Sequence, residues 1–158
     1  MDCIFYDDGV TGSLSASWVD NNCTVTRESG GYTSIKDTSS QNGSHKLNMS
    51  IPSGSVIYID FYQVDGATSS FPFLFNNPNN QYLNGFSLGS VGGSLGNWYT
   101  LKIEITTTQL KITNLTNEQS TTRNYASAYS PSDNVVMTMT PYGDMTEIRY
   151  KNLKVYPI

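Results

Sequence analysis

The sequence predicts an all-β protein, a two-sheet antiparallel jelly-roll sandwich, and three observations carry that expectation. Apolar residues almost nowhere recur at the three-and-four spacing of an amphipathic helix. Short runs of Val, Ile, Tyr, Phe and Thr instead alternate with clusters of Gly, Asn, Pro and Ser. About eleven such runs share 158 residues, and a single open sheet of that many strands would leave one apolar face in water, so two sheets must pack face to face. The length suits one domain, residues 1–158, with enough chain to bury a full core.

Taken in order, the candidate strands are 4–6, 23–28, 32–36, 45–50, 56–64, 71–75, 82–88, 98–106, 109–114, 135–140 and 147–156. Turn chemistry separates them: Ser29-Gly30-Gly31, Asn42-Gly43, Pro52-Ser53-Gly54, Asp65-Gly66, the Asn76-Asn77-Pro78-Asn79-Asn80 run and Pro141-Tyr142-Gly143-Asp144. In 98–106, Tyr99, Leu101, Ile103 and Ile105 are expected to look inward, and Trp98, Thr100, Lys102 and Glu104 outward. Thr107-Thr108 then links to a strand whose inner face carries Leu110 and Ile112, a hairpin. The last strand changes phase, because Ile148 and Tyr150 share one face while Leu153 and Val155 continue on the other. A bulge near Lys151-Asn152 accounts for the change.

Strand 56–64 is the most informative. Side-chain alternation sends Ile57, Ile59 and Phe61 to one face and Tyr58, Asp60 and Tyr62 to the other. An aromatic, acid, aromatic row on a rigid sheet suits a sugar, whose ring offers C–H patches to a phenol and hydroxyls to a carboxylate. Tyr82, Asn84 and Trp98 are expected on non-core faces beside this row, with the amides of Asn76, Asn77, Asn79 and Asn80 nearby. The competing expectation is that a partner protein covers these aromatics, since aromatics also mark interfaces.

Bulk properties restrict the partners. A net charge of −4 and only 14% charged residues argue against binding a phosphate backbone, so no nucleic acid is expected. No run approaches the roughly 18 apolar residues of a membrane helix, so no membrane insertion is expected, and the first residues do not read as a signal peptide. Cys3 and Cys23 each start a candidate strand, which leaves open a disulfide or two free thiols. With one histidine and two separated cysteines, a zinc site of nitrogen and sulfur ligands is not expected.

Gly85-Phe86-Ser87-Leu88-Gly89 matches the Gly-x-Ser-x-Gly nucleophile elbow, but no helix and no downstream histidine follow it, so it reads as a chance match. His45, which lies upstream, reads as a polar strand residue. The glycine-rich stretch 89–96 reads as a mobile loop beside the ligand face.

The order of these pieces resembles the concanavalin A-like lectin/glucanase sandwiches, including laminin G-like and related carbohydrate-binding modules. The resemblance rests on Ile4-Phe5-Tyr6-Asp7-Asp8 followed by Trp18, the long strand at Val56, Tyr82-Leu83-Asn84-Gly85-Phe86, Asn97 to Ile103, and Tyr150 to Tyr156. In laminarinase-type members the catalytic strand reads Glu-x-Asp-x-Glu. Tyr58-Ile59-Asp60-Phe61-Tyr62 resembles it with both glutamates replaced by tyrosine, and glycoside hydrolysis normally needs two carboxyl groups. The resemblance therefore implies a binder on a hydrolase-like scaffold, and no enzyme.

Relatives often carry a structural calcium, for which Asp7 and Asp8 could supply ligands. Lys151-Asn152 stands where the usual Asp-Asn pair would complete the site, and no cofactor is expected. The resulting expectation is a noncatalytic module that binds a cell-surface glycan through Tyr58, Asp60, Tyr62, Tyr82, Asn84 and Trp98. It would act outside the cell, in a surface adhesin or in the fibre or baseplate of a tailed virus, and as a homo-oligomer if multivalency strengthens it. The alternatives are a structural, protein-interaction domain of such an assembly and, behind it, a glycoside hydrolase.

Overall fold

The computed structural model of the protein describes residues 3–12, 17–38, 43–126 and 134–157. They form fourteen strands in two antiparallel sheets. β1 (Phe5–Asp7), β3 (Cys23–Glu28), β4 (Tyr32–Asp37), β7 (Val56–Gln63), β10 (Trp98–Ile105), β11 (Gln109–Asn114), β12 (Gln119–Asn124) and β14 (Glu147–Tyr156) make the larger sheet. Its order is β12-β11-β10-β7-β14-β4-β3, with β1 on the distal half of β14. The smaller sheet runs β2 (Trp18–Asn21), β5 (Ser44–Leu47), β13 (Asn134–Met139), β8 (Phe73–Asn76), β9 (Tyr82–Phe86), and the short β6 (Ile51–Pro52) pairs with β13. This is the sandwich that the alternating runs predict.

Alternation decides what fills the space between the sheets. Ile57, Ile59 and Phe61 of β7 and Leu101, Ile103 and Ile105 of β10 are buried, as are Phe73 and Phe75 of β8 on the facing sheet. Phe61 meets Phe73 edge-on with ring centroids 4.9 Å apart, and Phe73 stacks on Phe86 at 4.7 Å, the offset and T-shaped geometries that aromatic quadrupoles favour. The expected hairpin joins β10 to β11, with Leu110 and Ile112 fully buried.

The bulge in β14 is where the phase change places it. Pairing with β7 shifts register between Lys151 and Lys154, and Asn152 takes a left-handed backbone, φ 52°. Ile148, Tyr150, Leu153 and Val155 consequently all face inward, while Arg149, Lys151, Lys154 and Tyr156 face outward. The turn after β1 lies against this bulge: Asn152 N–H donates to Asp8 C=O, and a Cβ on Gly9 would lie 2.6 Å from Lys151 Cα. Only glycine fits there, the more so because its φ is +79°.

Three strands escape the sequence reading. β12 reads Gln-Ser-Thr-Thr-Arg-Asn with no apolar alternation; it is an edge strand with one partner, and polar residues suit an edge that faces water. β2 and β6 are four and two residues long, too short for periodicity to register. The stretch after Phe86 differs from its expectation as well. Leu88–Val91 is a short 3-10 helix whose Leu88 and Val91 are fully buried. Asn114 and Asn117 donate to Val91 C=O, so the segment is packed against β11 rather than a free loop. Within the Gly-x-Ser-x-Gly match, Ser87 caps this helix, accepting from Ser90 N–H, and a Cβ on Gly85 would lie 2.3 Å from Phe73 C=O. Both residues thus have structural reasons to be there. The Asn42-Gly43 turn falls partly on Asn42, outside the described residues.

Candidate functional site

The outer face of the larger sheet carries the Tyr58-Asp60-Tyr62 row, with all three residues partly exposed. Cross-strand pairing sets Thr100 opposite Asp60 on one side and Lys151 on the other. Thr100 Oγ1 donates to Asp60 Oδ1 at 2.7 Å, and the bulged Asn152 donates its amide to Oδ2 at 2.8 Å. The carboxylate is thereby fixed in orientation by two neutral donors while keeping free lone pairs, since a carboxylate has about four acceptor positions. A groove of about 490 Å3 opens beside it, lined by Tyr58, Asp60, Thr100, Asn152, Lys154 and Tyr156. The rings of Tyr58 and Tyr156 meet edge-on with centroids 6.0 Å apart. A shallower recess of about 310 Å3 continues past Lys154 and Tyr156 to Tyr6 and Cys3.

The other half of the face is closed on itself. Trp98 lies 5.2 Å from Tyr62 and 5.9 Å from Tyr32, centroid to centroid. Arg149 sits over both tyrosines, 4.7 Å from the Tyr32 ring and 5.1 Å from Tyr62, and is paired with Glu147. The Lys151 ammonium lies 4.5 Å above Trp98. These cation–π contacts occupy ring faces that a sugar would otherwise stack on. Tyr62 and Trp98 are therefore on the expected face, but their rings are partly engaged.

Tyr82 and Asn84 are not beside this row. They lie on β9 of the smaller sheet, across the sandwich. Asn84 donates to Asn124 C=O at 2.7 Å and accepts from Arg123, tying the edge of one sheet to the edge of the other. Tyr82 borders a separate, largely apolar cleft with Phe71, Leu74 and Tyr142. The asparagines of the β8–β9 turn are used locally: Asn76 donates to Asn80, and Asn77 exchanges bonds with Gln81. Strand parity could not have placed these residues, because which sheet a strand joins is set by distant pairing. Thr100, Asn152, Lys154 and Tyr156 were missed as site residues: the bulge turns Lys154 and Tyr156 outward, but that β10 and β14 flank Asp60 on β7 is set by distant pairing.

Behind the site runs a buried polar seam. Asp7 accepts from Gly9 N–H, from Trp18 Nε1 at 3.0 Å and from Tyr150 Oη at 2.9 Å, and forms an ion pair with Arg27 at 2.8 Å. His45 Nε2 lies 3.1 Å from Tyr150 Oη, and Nδ1 meets Asp20. Trp18 stacks on the imidazole with centroids 3.8 Å apart. His45 is thus fully buried rather than an ordinary polar strand residue. Burial holds its pKa below the usual histidine value, opposed by Asp20, and burial together with Asp7 pushes the Tyr150 phenol well up.

This seam also bears on calcium. Asp7's oxygens are taken by four protein donors, and Asp8 is held by Val10 N–H, Thr11 N–H and the Thr11 hydroxyl, which bring its pKa down to about 2. Among the described residues no group of three acids, histidines or cysteines converges. The residues present do not fit a calcium site, which wants six or more oxygens aimed at one point. Cys3 and Cys23 are free thiols; Cys3 is exposed, and burial raises the Cys23 thiol to about 11.

No protein-family model matches the sequence, and no curated protein does. Solved structures do. A protein of unknown function with a galectin-like fold from Bacillus subtilis superposes with a TM-score of 0.67 at 9% identity, covering 98% of this chain and 95% of that one. A pseudo β-1,3-glucanase of Mycobacterium tuberculosis gives a TM-score of 0.65 at 9% identity, with 99% of each chain covered. A sialidase gives 0.65 at 12% identity, matching 96% of this chain but 18% of the longer enzyme. At these identities the likeness establishes the fold, a galectin-like, concanavalin A-type sandwich, as the sequence pattern led us to expect.

Proposed function

We propose that the protein is a noncatalytic glycan-binding module acting outside a cell, in a surface adhesin or in a tailed-virus fibre or baseplate. The observation that carries this reading is the groove at Tyr58 and Tyr156, with the Asp60 carboxylate oriented into place by Thr100 and Asn152. Phenol faces take the C–H patches of a pyranose, and the fixed carboxylate accepts its hydroxyls. The sialidase and the pseudo-glucanase among the structural neighbours support a sugar ligand by analogy of fold.

The placement of carboxylates supports binding over hydrolysis. Glu104 pairs with Val56, four residues along the strand from the Thr100–Asp60 pair, or roughly 13 Å. Hydrolytic pairs stand about 5–9.5 Å apart. Glu104 is also drawn toward Lys102, 3.7 Å away. Single shallow sites bind sugars weakly, and display in several copies would raise the avidity.

A glycan array followed by titration of the best binders tests the reading. Asp60→Ala is expected to abolish binding and leave the melting temperature nearly unchanged. Unaltered binding by this variant would remove the face from consideration, and silence of the wild type on a broad array would favour the protein-docking alternative.

A further inference from the structure

The charge on this face is opposite to that of the protein. The chain carries a net −4, yet the outer face of β14 presents Arg149, Lys151 and Lys154 in sequence. Arg149 already has Glu147, and Lys102 on β10 has Glu104. Lys151 and Lys154 have no carboxylate within ion-pair distance among the described residues; each rests against an aromatic ring instead, Lys151 on Trp98 at 4.5 Å and Lys154 on Tyr6 at 5.6 Å. Asp60, whose oxygens accept from Thr100 and Asn152, makes no ion pair with either lysine.

Lys154 is the informative one. It lines both the groove and the recess that continues it, beside Tyr58 and Tyr156, and its ammonium lies on the Tyr6 side. Lys151 pairs with Asp60 and Lys154 with Tyr58, which puts their backbone positions roughly 7 Å apart along the strand, with Lys151 reaching toward Trp98 and Lys154 toward Tyr6. Resting against apolar rings removes part of each ammonium's water without supplying an anion. That arrangement favours an incoming acid, whose bond to a charged donor is among the stronger hydrogen bonds.

We propose that the ligand is an acidic glycan, with the carboxylate or sulfate of one sugar unit on Lys154, its ring against the Tyr58–Tyr156 pair, and a second acidic group reaching Lys151. This rests on the glycan-binding reading of the same groove and names its ligand class. Carboxylate and sulfate share the chemistry that Lys154 recognises, so the test separates them.

The experiment is calorimetric titration of the intact chain with four probes: an oligogalacturonide, its fully methyl-esterified counterpart, a sulfated galactan oligosaccharide, and polyglutamate as an anion without sugar rings. The oligogalacturonide, the sulfated probe or both are expected to bind at least about tenfold tighter than the neutral ester, with affinity falling as salt rises. Lys154→Met should erase that preference, and Tyr58→Ala should weaken acidic and neutral sugars alike. Which acidic probe binds identifies the anion. Equal affinity for acid and ester overturns the acidic-ligand assignment and leaves the glycan reading standing. Polyglutamate binding as tightly as the sugars overturns it as well, as charge alone. No binding of any sugar overturns both.

Discussion

Asp7 and Asp60 are built from the same side chains and put to opposite uses. Each is a carboxylate on the larger sheet with tyrosine nearby and a tryptophan and an arginine in its neighbourhood. Asp7 points between the sheets, is 6% exposed, and has four donors closing around it. Asp60 points out, is partly exposed, and has two, both neutral. Side-chain parity decides the direction, and the number of donors decides whether any acceptor position remains for a ligand. The comparison teaches that composition alone does not distinguish a structural acid from a binding one; the count of donors does.

The largest effect should follow from Asp7→Ala. Removing this carboxylate leaves Arg27 without its ion-pair partner and Trp18 Nε1 without an acceptor, and breaking a largely buried pair from one side typically costs about 3–5 kcal/mol. Chemical denaturation measures it. A loss below about 1 kcal/mol would erase the distinction drawn between the two acids, because Asp60→Ala, in contact with solvent, is expected to stay within about that bound.

The next effect concerns pH and the far end of the seam. His45 is packed against Trp18 and faces Asp20 from β2, Tyr150 from β14, and more distantly Asp7 from β1 and Arg27 from β3. Burial lowers its pKa in the fold, so between that lowered value and about 6.5 the unfolded chain binds the proton and the folded chain does not. Stability should therefore rise with pH through this window and level off above about 6.5, with a slope no steeper than about 1.4 kcal/mol per pH unit. His45→Gln should flatten the curve in that window while Asp60→Ala leaves its shape intact. A slope of opposite sign in the parent protein would mean that Asp20 outweighs burial and the seam holds a cation.

How far the sequence foretold this follows from what each signal needs. The parity of β7 and β10 was legible because uninterrupted alternation of aliphatic and polar residues has one reading, and the β14 bulge was legible because that alternation visibly breaks at Lys151-Asn152. The polar edge strand β12 was not, since even its half-buried residues, Thr121 and Arg123, are polar and no apolar alternation marks it. Half of the face was anticipated: Tyr58, Asp60, Tyr62 and Trp98 do share it, but Tyr82 and Asn84 belong to the other sheet. Nothing local in residues 82–86 records which sheet they enter. The seam was invisible for a similar reason, as it joins residues as far apart as Asp7 and Tyr150.

The smallest effect is the most useful for locating the site's centre. Tyr62 stands two residues from Asp60 on the same face, yet its ring already meets Trp98 at 5.2 Å and the Arg149 guanidinium at 5.1 Å. A ring held in that way contributes about 0.5–1 kcal/mol through its cation–π contact and has less surface to offer a sugar. Tyr62→Ala should therefore cost about 1 kcal/mol of stability and weaken glycan binding only a few-fold, by loosening Trp98 and the lysine above it. Tyr58→Ala should do the reverse, weakening binding at least about tenfold with little change in stability, since its ring borders open groove. Equal losses of binding in the two variants would extend the ligand across Asp60 onto the tryptophan. A larger loss from Tyr62→Ala would move the site to that end and make the Tyr58 groove a flank, because affinity is lost most where a ring must give up ligand contact rather than protein contact.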